Sequence, residues 1–343
     1  MGSTSAMIWA MPEQVEMLAG VMSRGGIEVI GAGCPVFAQA GAVAHRFGCA
    51  VQDDLRHMLS SENPDLVVLA APGGFGHQDL EQDLAILQHV HGREIAVATL
   101  EPIPAEATVI SGTSWTDAMH TGAFGEFVRM VPLVRRTRLI DELMSSLETF
   151  GPIRSLSMSI AAPPVYGSLG ARVFEAMDLV RTLIGVPEII DASYQGGSYA
   201  NGLHQLPGQS LRDLHGIMAA HMRMADGRGV LVQISDQVGR SGLMMSIFGC
   251  EGEIRLGESG FRRFDVAGNE IDSHTLDIHD TVDHDPSSVR LTEQLIQLCS
   301  GVGPVVSPVD HASVLAMGHT ALLSARTGQG ETPETIRRLL LDV

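Results

Sequence analysis

Two glutamates stand where acid–base chemistry could be done. Glu101 sits in Leu100-Glu101-Pro102, directly after the apolar run EIAVAT. Glu175 sits in ARVFEAMDLVRTLIG, where positions 171, 175 and 178 share one helical face. A carboxyl group whose proton affinity is tuned by its neighbours can serve as a general acid or base. Two such groups, their pKa values set by mutual repulsion, could support hydrolysis or isomerisation. The competing reading of Glu175 is a surface ion pair with Arg172. His77 is the third candidate, just after Gly-Gly-Phe-Gly. Its competing reading is a solvated histidine at the start of a polar helix.

Other groups are weaker. The stretch IDSHTLDIHDTVDHD carries His274, His279 and His284 with Asp277, Asp280, Asp283 and Asp285. It could bind a divalent metal, but the spacing is irregular, so the expectation for 274–285 is an acidic loop and no metal. Tyr199 and His204 lie in a Gly-rich stretch of a length that suits a loop over a cleft. Gly31 and Gly33 form a GxG that reads as a turn. Neither a Gly-x-Ser-x-Gly elbow nor an HExxH pair occurs.

All 22 basic residues are arginine, because the 343-residue chain contains no lysine. The formal charge of −18 repels phosphate backbones, which argues against nucleic-acid binding. No apolar run is long enough for a membrane span. The opening MGSTSAMIWAMPEQ lacks the basic-then-apolar pattern of a secretory signal. The four cysteines are widely spaced with no CxxC pair. A cytoplasmic protein with free, mostly buried thiols is therefore expected.

These residues need a scaffold to hold them. SAMIWAM, IEVIGAG, DLVVLAAP and EIAVATLEP read as strands, separated by helical segments such as PEQVEMLAGVMSRGG, which Pro12 opens and Gly25-Gly26 stops. That βαβα rhythm predicts a Rossmann-like α/β domain with a parallel sheet, over residues 1–122. Beyond it, IRSLSMSIAAP, EIIDASYQG, GIMAAHMRMA, GVLVQISDQV, LMMSIFG and GEIRLG read as successive strands around one helix, ARVFEAMDLVRTLIG. This predicts an α+β domain over 123–343 with an open, largely antiparallel sheet.

The order of these segments resembles the glucose–fructose oxidoreductase, inositol dehydrogenase and rhizopine-catabolism (Gfo/Idh/MocA) family. AHRFG with DDLRHMLSSENPDLVVLAAP, EIAVATLEP, GSLGARVFEAMDLVRTLIGVPE, DGRGVLVQIS with IFGCEGEIRL, and LLSARTGQGETP carry the likeness over nearly the whole chain. The resemblance implies NAD or NADP in the first domain and a sugar or cyclitol between the domains. It also implies a homo-oligomer paired through the second sheet. The family's phosphate-loop glycines fall on Trp9, Met11 and Gln14, and no glycine occurs between Gly2 and Gly20. Side chains there occupy diphosphate space, and Pro12 removes a backbone donor. The ribose-binding acid at the end of the second strand is replaced by Gly33 and Cys34. The family's lysine becomes Glu101, its histidine Glu175 and the preceding aspartate Ala171. His77 stands where the family often has a histidine near the cofactor.

Three functions stay open on these residues. The first is an oxidoreductase-family protein related to NAD(P)-dependent sugar or cyclitol dehydrogenases, with an altered cofactor loop and altered catalytic positions. The second is a pseudoenzyme: a small-molecule sensor, or a partner subunit of an active paralogue. The third is a nicotinamide-independent acid–base enzyme using Glu101 and Glu175. In each, a small polar molecule sits in the interdomain cleft.

Overall fold

The computed structural model describes residues 4–107, 110, 113–196, 206–276, 284–301 and 308–341. Tyr199, His204 and His279 of the readings above lie outside the described residues. The first sheet has six strands: β1 Thr4–Trp9, β2 Ile27–Gly33, β3 Ala50–Gln52, β4 Leu66–Leu69, β5 Ala96–Thr99 and β6 Arg129–Met130. Their order is β3-β2-β1-β4-β5-β6, and every pairing is parallel. The order reverses between β1 and β4, and such a switch point opens a crevice at the carboxyl ends of the strands. Leu66, Val67, Val68 and Leu69 are all buried, because helices cover both faces. Those helices include α1 Val15–Gly25, α2 Phe37–Phe47, α3 Leu55–Ser61 and α4 Leu80–Gly92. Gly26 and Gly48 close α1 and α2 in the left-handed conformation that favours glycine. Asp54 caps α3 by accepting the His57 N–H at 2.7 Å. The short helices α5 Ser114–His120 and α6 Phe124–Phe127, then α7 Arg138–Leu147, lead into the second sheet.

That sheet has eight strands: β7 Ile153–Ala161, β8 Ile189–Gly196, β9 Gly216–Arg223, β10 Gly229–Ser235, β11 Gly242–Gly249, β12 Glu253–Gly257, β13 Gly260–Phe264 and β14 Glu270–Thr275. Their order is β14-β13-β12-β11-β7-β10-β9-β8, antiparallel except where β10 runs parallel to β7. The inward residues Leu156, Met158 and Ile160 of β7 alternate with serines on the outer face. The helices α8 Leu169–Leu183 and α10 His311–Thr327 cover the inner face. The remaining helices are α9 Pro286–Ser300, which packs on α1, and α11 Pro333–Leu341, which packs on α10. Among the described residues no helix is long and apolar enough to cross a membrane.

Two local expectations are overturned. Gly31 and Gly33 are not a turn; both lie inside β2. A Cβ on Gly33 would stand 2.1 Å from Trp9 Cζ3, and one on Gly31 would stand 2.6 Å from Met7 Cε. Glycine is needed there because large β1 side chains lie across the neighbouring strand. The first part of the expected acidic loop is instead β14, which pairs with β13 in the register Phe261↔His274.

Candidate functional site

Glu101 stands just past the carboxyl end of β5. Thr99 shapes the turn: its Oγ1 donates to the Glu101 carbonyl at 2.7 Å and accepts the Glu101 N–H at 3.1 Å. The side chain then crosses to the second domain. Its two oxygens accept the Ser168 N–H and the Ser168 Oγ–H, each at 2.7 Å. Ser168 is the N-cap residue of α8, so Glu101 supplies the acceptor that this helix end needs. Gly167 permits the close approach, since a Cβ there would lie 2.4 Å from the Leu100 carbonyl oxygen. Only 7% of Glu101 is exposed. Burial pushes its carboxyl up to about 7, against the Ser168 hydrogen bonds and the Arg212 charge, which favour ionisation.

A five-residue strap from the second domain borders this turn. The Leu211 N–H donates to the Ala105 carbonyl at 2.9 Å. Arg212 is buried and donates to the carbonyls of Gly73 (2.6 Å), Phe75 (3.0 Å) and Pro102 (3.1 Å). One guanidinium thus ties together the loops that follow β4 and β5. Asp213 adopts a left-handed φ of 59°. The Leu214 carbonyl accepts the Leu169 N–H at 2.7 Å, satisfying another donor of α8. His215 ends the strap, with Nδ1 2.6 Å from Asp236 Oδ2. The other Asp236 oxygen accepts the Gly216 N–H at 2.8 Å. Asp236 is 2% exposed, whereas the imidazole is 56% exposed. The Asp236 hydrogen bond raises the His215 pKa against partial burial, and the charges of Asp236, Glu101 and Asp213 act in the same direction.

Ser168, Arg212, Asp213, His215 and Asp236 form this site with Glu101, and sequence reasoning missed all five. The available signal was the polar cluster Arg212-Asp213-Leu214-His215 immediately ahead of β9, with Asp236 directly after β10.

Glu175 belongs to a different network. The expectation of a surface pair with Arg172 is corrected, since the pair is wholly buried. Arg172 Nη1 donates to Glu175 Oε2 at 2.6 Å, and the Val134 N–H donates to Oε1 at 3.0 Å. Asp178 is buried beside it and accepts from Arg135 Nε at 2.6 Å. Seven residues separate Glu175 from Ser168, a rise of about 10 Å along α8. Glu101 and Glu175 therefore sit at different levels of the helix, each with its own partners. His77 is partly exposed, with Nδ1 3.9 Å from Glu106 Oε1. On β14, His274 stacks on Phe261 with ring centroids 6.0 Å apart. The His284 carbonyl accepts from Arg240. Among the described residues no group of three His, Cys, Asp or Glu side chains could hold a metal ion.

The turn after β1 is filled by its own side chains. Gln14 Oε1 accepts the Met11 N–H at 3.0 Å, and Gln14 Nε2 donates to the Ala70 carbonyl at 3.1 Å. Trp9 is buried and lies over Gly33. Cys34 Sγ packs 3.9 Å from Met11 Sδ, and burial raises its thiol pKa. What remains at the ends of β1, β2 and β4 is a depression of about 210 Å³ between Trp9, Cys34, Asp53, Pro72 and Phe75.

No family model matches the chain, and no curated protein does. Solved structures do match its fold. An oxidoreductase from Agrobacterium radiobacter, in complex with NAD+, L-tartaric acid and magnesium, is 13% identical with a TM-score of 0.62, over 98% of this chain and 100% of that one. The WlbA dehydrogenase from Bordetella pertussis, in complex with NADH and UDP-GlcNAcA, is 16% identical with a TM-score of 0.59, over 96% and 99%. Levoglucosan dehydrogenase, in complex with NADH and levoglucosan, is 14% identical with a TM-score of 0.63, over 96% and 98%. The fold of this chain is thus shared with these three solved structures over nearly its whole length.

Proposed function

We propose that this chain is a small-molecule-binding protein of the oxidoreductase architecture that works without a nicotinamide dinucleotide. One observation carries this reading: Gln14 takes the Met11 N–H. A dinucleotide site at this turn uses free backbone amides at a helix N-terminus and the space that glycines leave open. Here the Met11 amide is already bonded, Pro12 has no amide hydrogen, and Trp9 fills the room beside Gly33. The depression of about 210 Å³ is also smaller than the roughly 300–1,000 Å³ of ordinary ligand sites. NAD and NADP, which the similar proteins would suggest, do not fit these residues.

The ligand of this reading lies instead between the domains, beside Glu101 and the 211–215 strap. Glu106, Asp213 and Asp236 outnumber the Arg212 cation in that region, which disfavours a phosphate or carboxylate and leaves an uncharged polyhydroxyl compound as the ligand of this reading. Calorimetric titration with NADH and NADPH tests the reading. No binding in the micromolar range is expected; micromolar affinity for either overturns it.

A homo-oligomer paired through the outer face of the second sheet belongs to the same reading. Leu231, Met244 and Phe248 are exposed on that face, and Leu231 and Met244 line a depression of about 700 Å³. Sedimentation of the purified chain is expected to give a multiple of 36.5 kDa. A monomer that gains mass only with a related active chain would favour a partner subunit instead.

A further inference from the structure

We infer that His215, oriented by Asp236, is the proton-transferring base of the interdomain site, acting on a C–H next to the carbonyl of an uncharged polyhydroxyl compound. The inference rests on the reading of a site that works without nicotinamide, and it names the residue and the chemistry.

The geometry is that of an oriented base. A buried carboxylate holds Nδ1 at 2.6 Å and is itself fixed by the Gly216 N–H at 2.8 Å. With Nδ1 committed to Asp236 as the donor, Nε2 becomes the free acceptor. More than half of the imidazole surface is open to solvent. The main chain is fixed as well, because the Tyr194 hydroxyl donates to the His215 carbonyl at 2.7 Å. The charged groups around it are Asp236, Asp213 and Glu101, all of which favour its protonated form. Arg212 is buried and committed to three carbonyls.

These surroundings select the chemistry. Carboxylates on several sides disfavour an anionic substrate. An oriented base of this kind suits proton removal from carbon beside a carbonyl. The C–H bond breaks and its proton passes to Nε2. The electron pair forms the C=C bond of an enol, and the carbonyl oxygen takes a proton from water. The reverse steps return a hydrogen to carbon, so nothing is oxidised or reduced overall.

Proton exchange tests this directly. The full chain is incubated in D2O with dihydroxyacetone, D-fructose and L-sorbose, without nicotinamide, and loss of the C–H signals is followed by proton NMR. Exchange above the protein-free rate is expected with at least one ketose, and loss of roughly 100-fold or more in His215→Asn. Imidazole added to His215→Ala is expected to restore part of the rate. Asp236 acts as a positioning residue, so Asp236→Asn should lower the rate and move the pH–rate midpoint downward. A purely structural Asp236 would leave that midpoint in place. Absence of exchange with all three ketoses overturns the inference, as does an unchanged rate in a folded His215→Asn. Nicotinamide affinity is measured separately, so calorimetric binding of NADH would overturn the cofactor reading while leaving the exchange result to stand or fall by itself.

Discussion

Glu101 and Ser168 clasp each other across the two domains through a pair of 2.7 Å hydrogen bonds, one from the Ser168 amide and one from its hydroxyl. The carboxyl group follows the last residues of β5, and the serine opens α8. Each solves a problem the other has. The helix start gains acceptors for donors that have no partner within the helix. The buried carboxyl gains two donors in a place where water is excluded. The contact also fixes how the strand ends of the first sheet face the second domain.

Burial of this carboxyl makes stability depend on pH. The Glu101 pKa rises from its ordinary 4.5 to about 7 on folding. Between those values the folded chain keeps a proton that the unfolded chain has lost. The contribution is therefore fully present below about 4.5 and is lost as pH rises to about 7, a change of about 3 kcal/mol. His215, also raised, acts in the same direction. Urea unfolding should show a protein more stable at pH 5 than at pH 8. Glu101→Gln keeps an acceptor for the Ser168 N–H and turns the second bond round, its amide donating to Ser168 Oγ, so it should remove most of that difference. An unchanged slope in the variant would discard Glu101 as the titrating group.

Arg212 should behave as a bolt between domains. Arg212→Met removes three charge-assisted hydrogen bonds and leaves the Gly73, Phe75 and Pro102 carbonyls with fewer donors. A loss of at least about 3 kcal/mol is expected. Because the Arg212 charge favours ionised Glu101, the pH-dependent step should also move upward. Denaturant curves at several pH values read both effects. Full stability in Arg212→Met would show that the strap is not held by this residue.

The sequence made the architecture legible because burial on both faces leaves apolar runs such as LVVL, and one-sided burial leaves alternation such as that of β7. It made Glu101 legible as the residue at the end of β5. It could not reveal that Ser168, 67 residues away, receives that carboxyl. The site at His215 depends on a hairpin that brings Asp236 back across 21 residues, and local spacing carries no trace of it. Gly33 was readable as glycine but not as a cross-strand seat for Trp9, because the reason lies on another strand. Glu175 looked like a surface pair because i,i+3 spacing says nothing about depth, which here comes from the Val134 and Arg135 segment packing over α8.

The turn after β1 should tolerate opening in one way and resist it in another. Gly33→Ala places a Cβ 2.1 Å from the Trp9 ring and 2.5 Å from the Gln52 carbonyl oxygen, so a loss of about 1–3 kcal/mol is expected. Gln14→Ala leaves the Met11 N–H and the Ala70 carbonyl without their partner, a further loss of about 1–3 kcal/mol. Trp9→Gly with Gln14→Gly frees the amide and the room together. Among these variants, that pair alone is expected to gain affinity for NADH by calorimetry. Equal affinity in the parent chain would contradict the filled-turn argument.

Glu175 separates a structural from a chemical role most sharply. Its carboxylate is buried with Arg172 and accepts the Val134 amide, so Glu175→Gln strands a buried guanidinium and should cost about 3–5 kcal/mol. Arg172→Met strands the carboxylate and should cost a similar amount. Replacing both, as Arg172→Met with Glu175→Leu, removes both charges at once. That double variant should recover much of the loss, because an apolar pair of similar volume avoids the desolvation of two ions. Thermal unfolding of the three variants closes the cycle. Ketose proton exchange per folded molecule should be unchanged in the double variant, because Glu175 lies two turns from the helix end that Glu101 and the strap enclose. A selective loss of exchange in the double variant, with the fold intact, would return Glu175 to the chemistry.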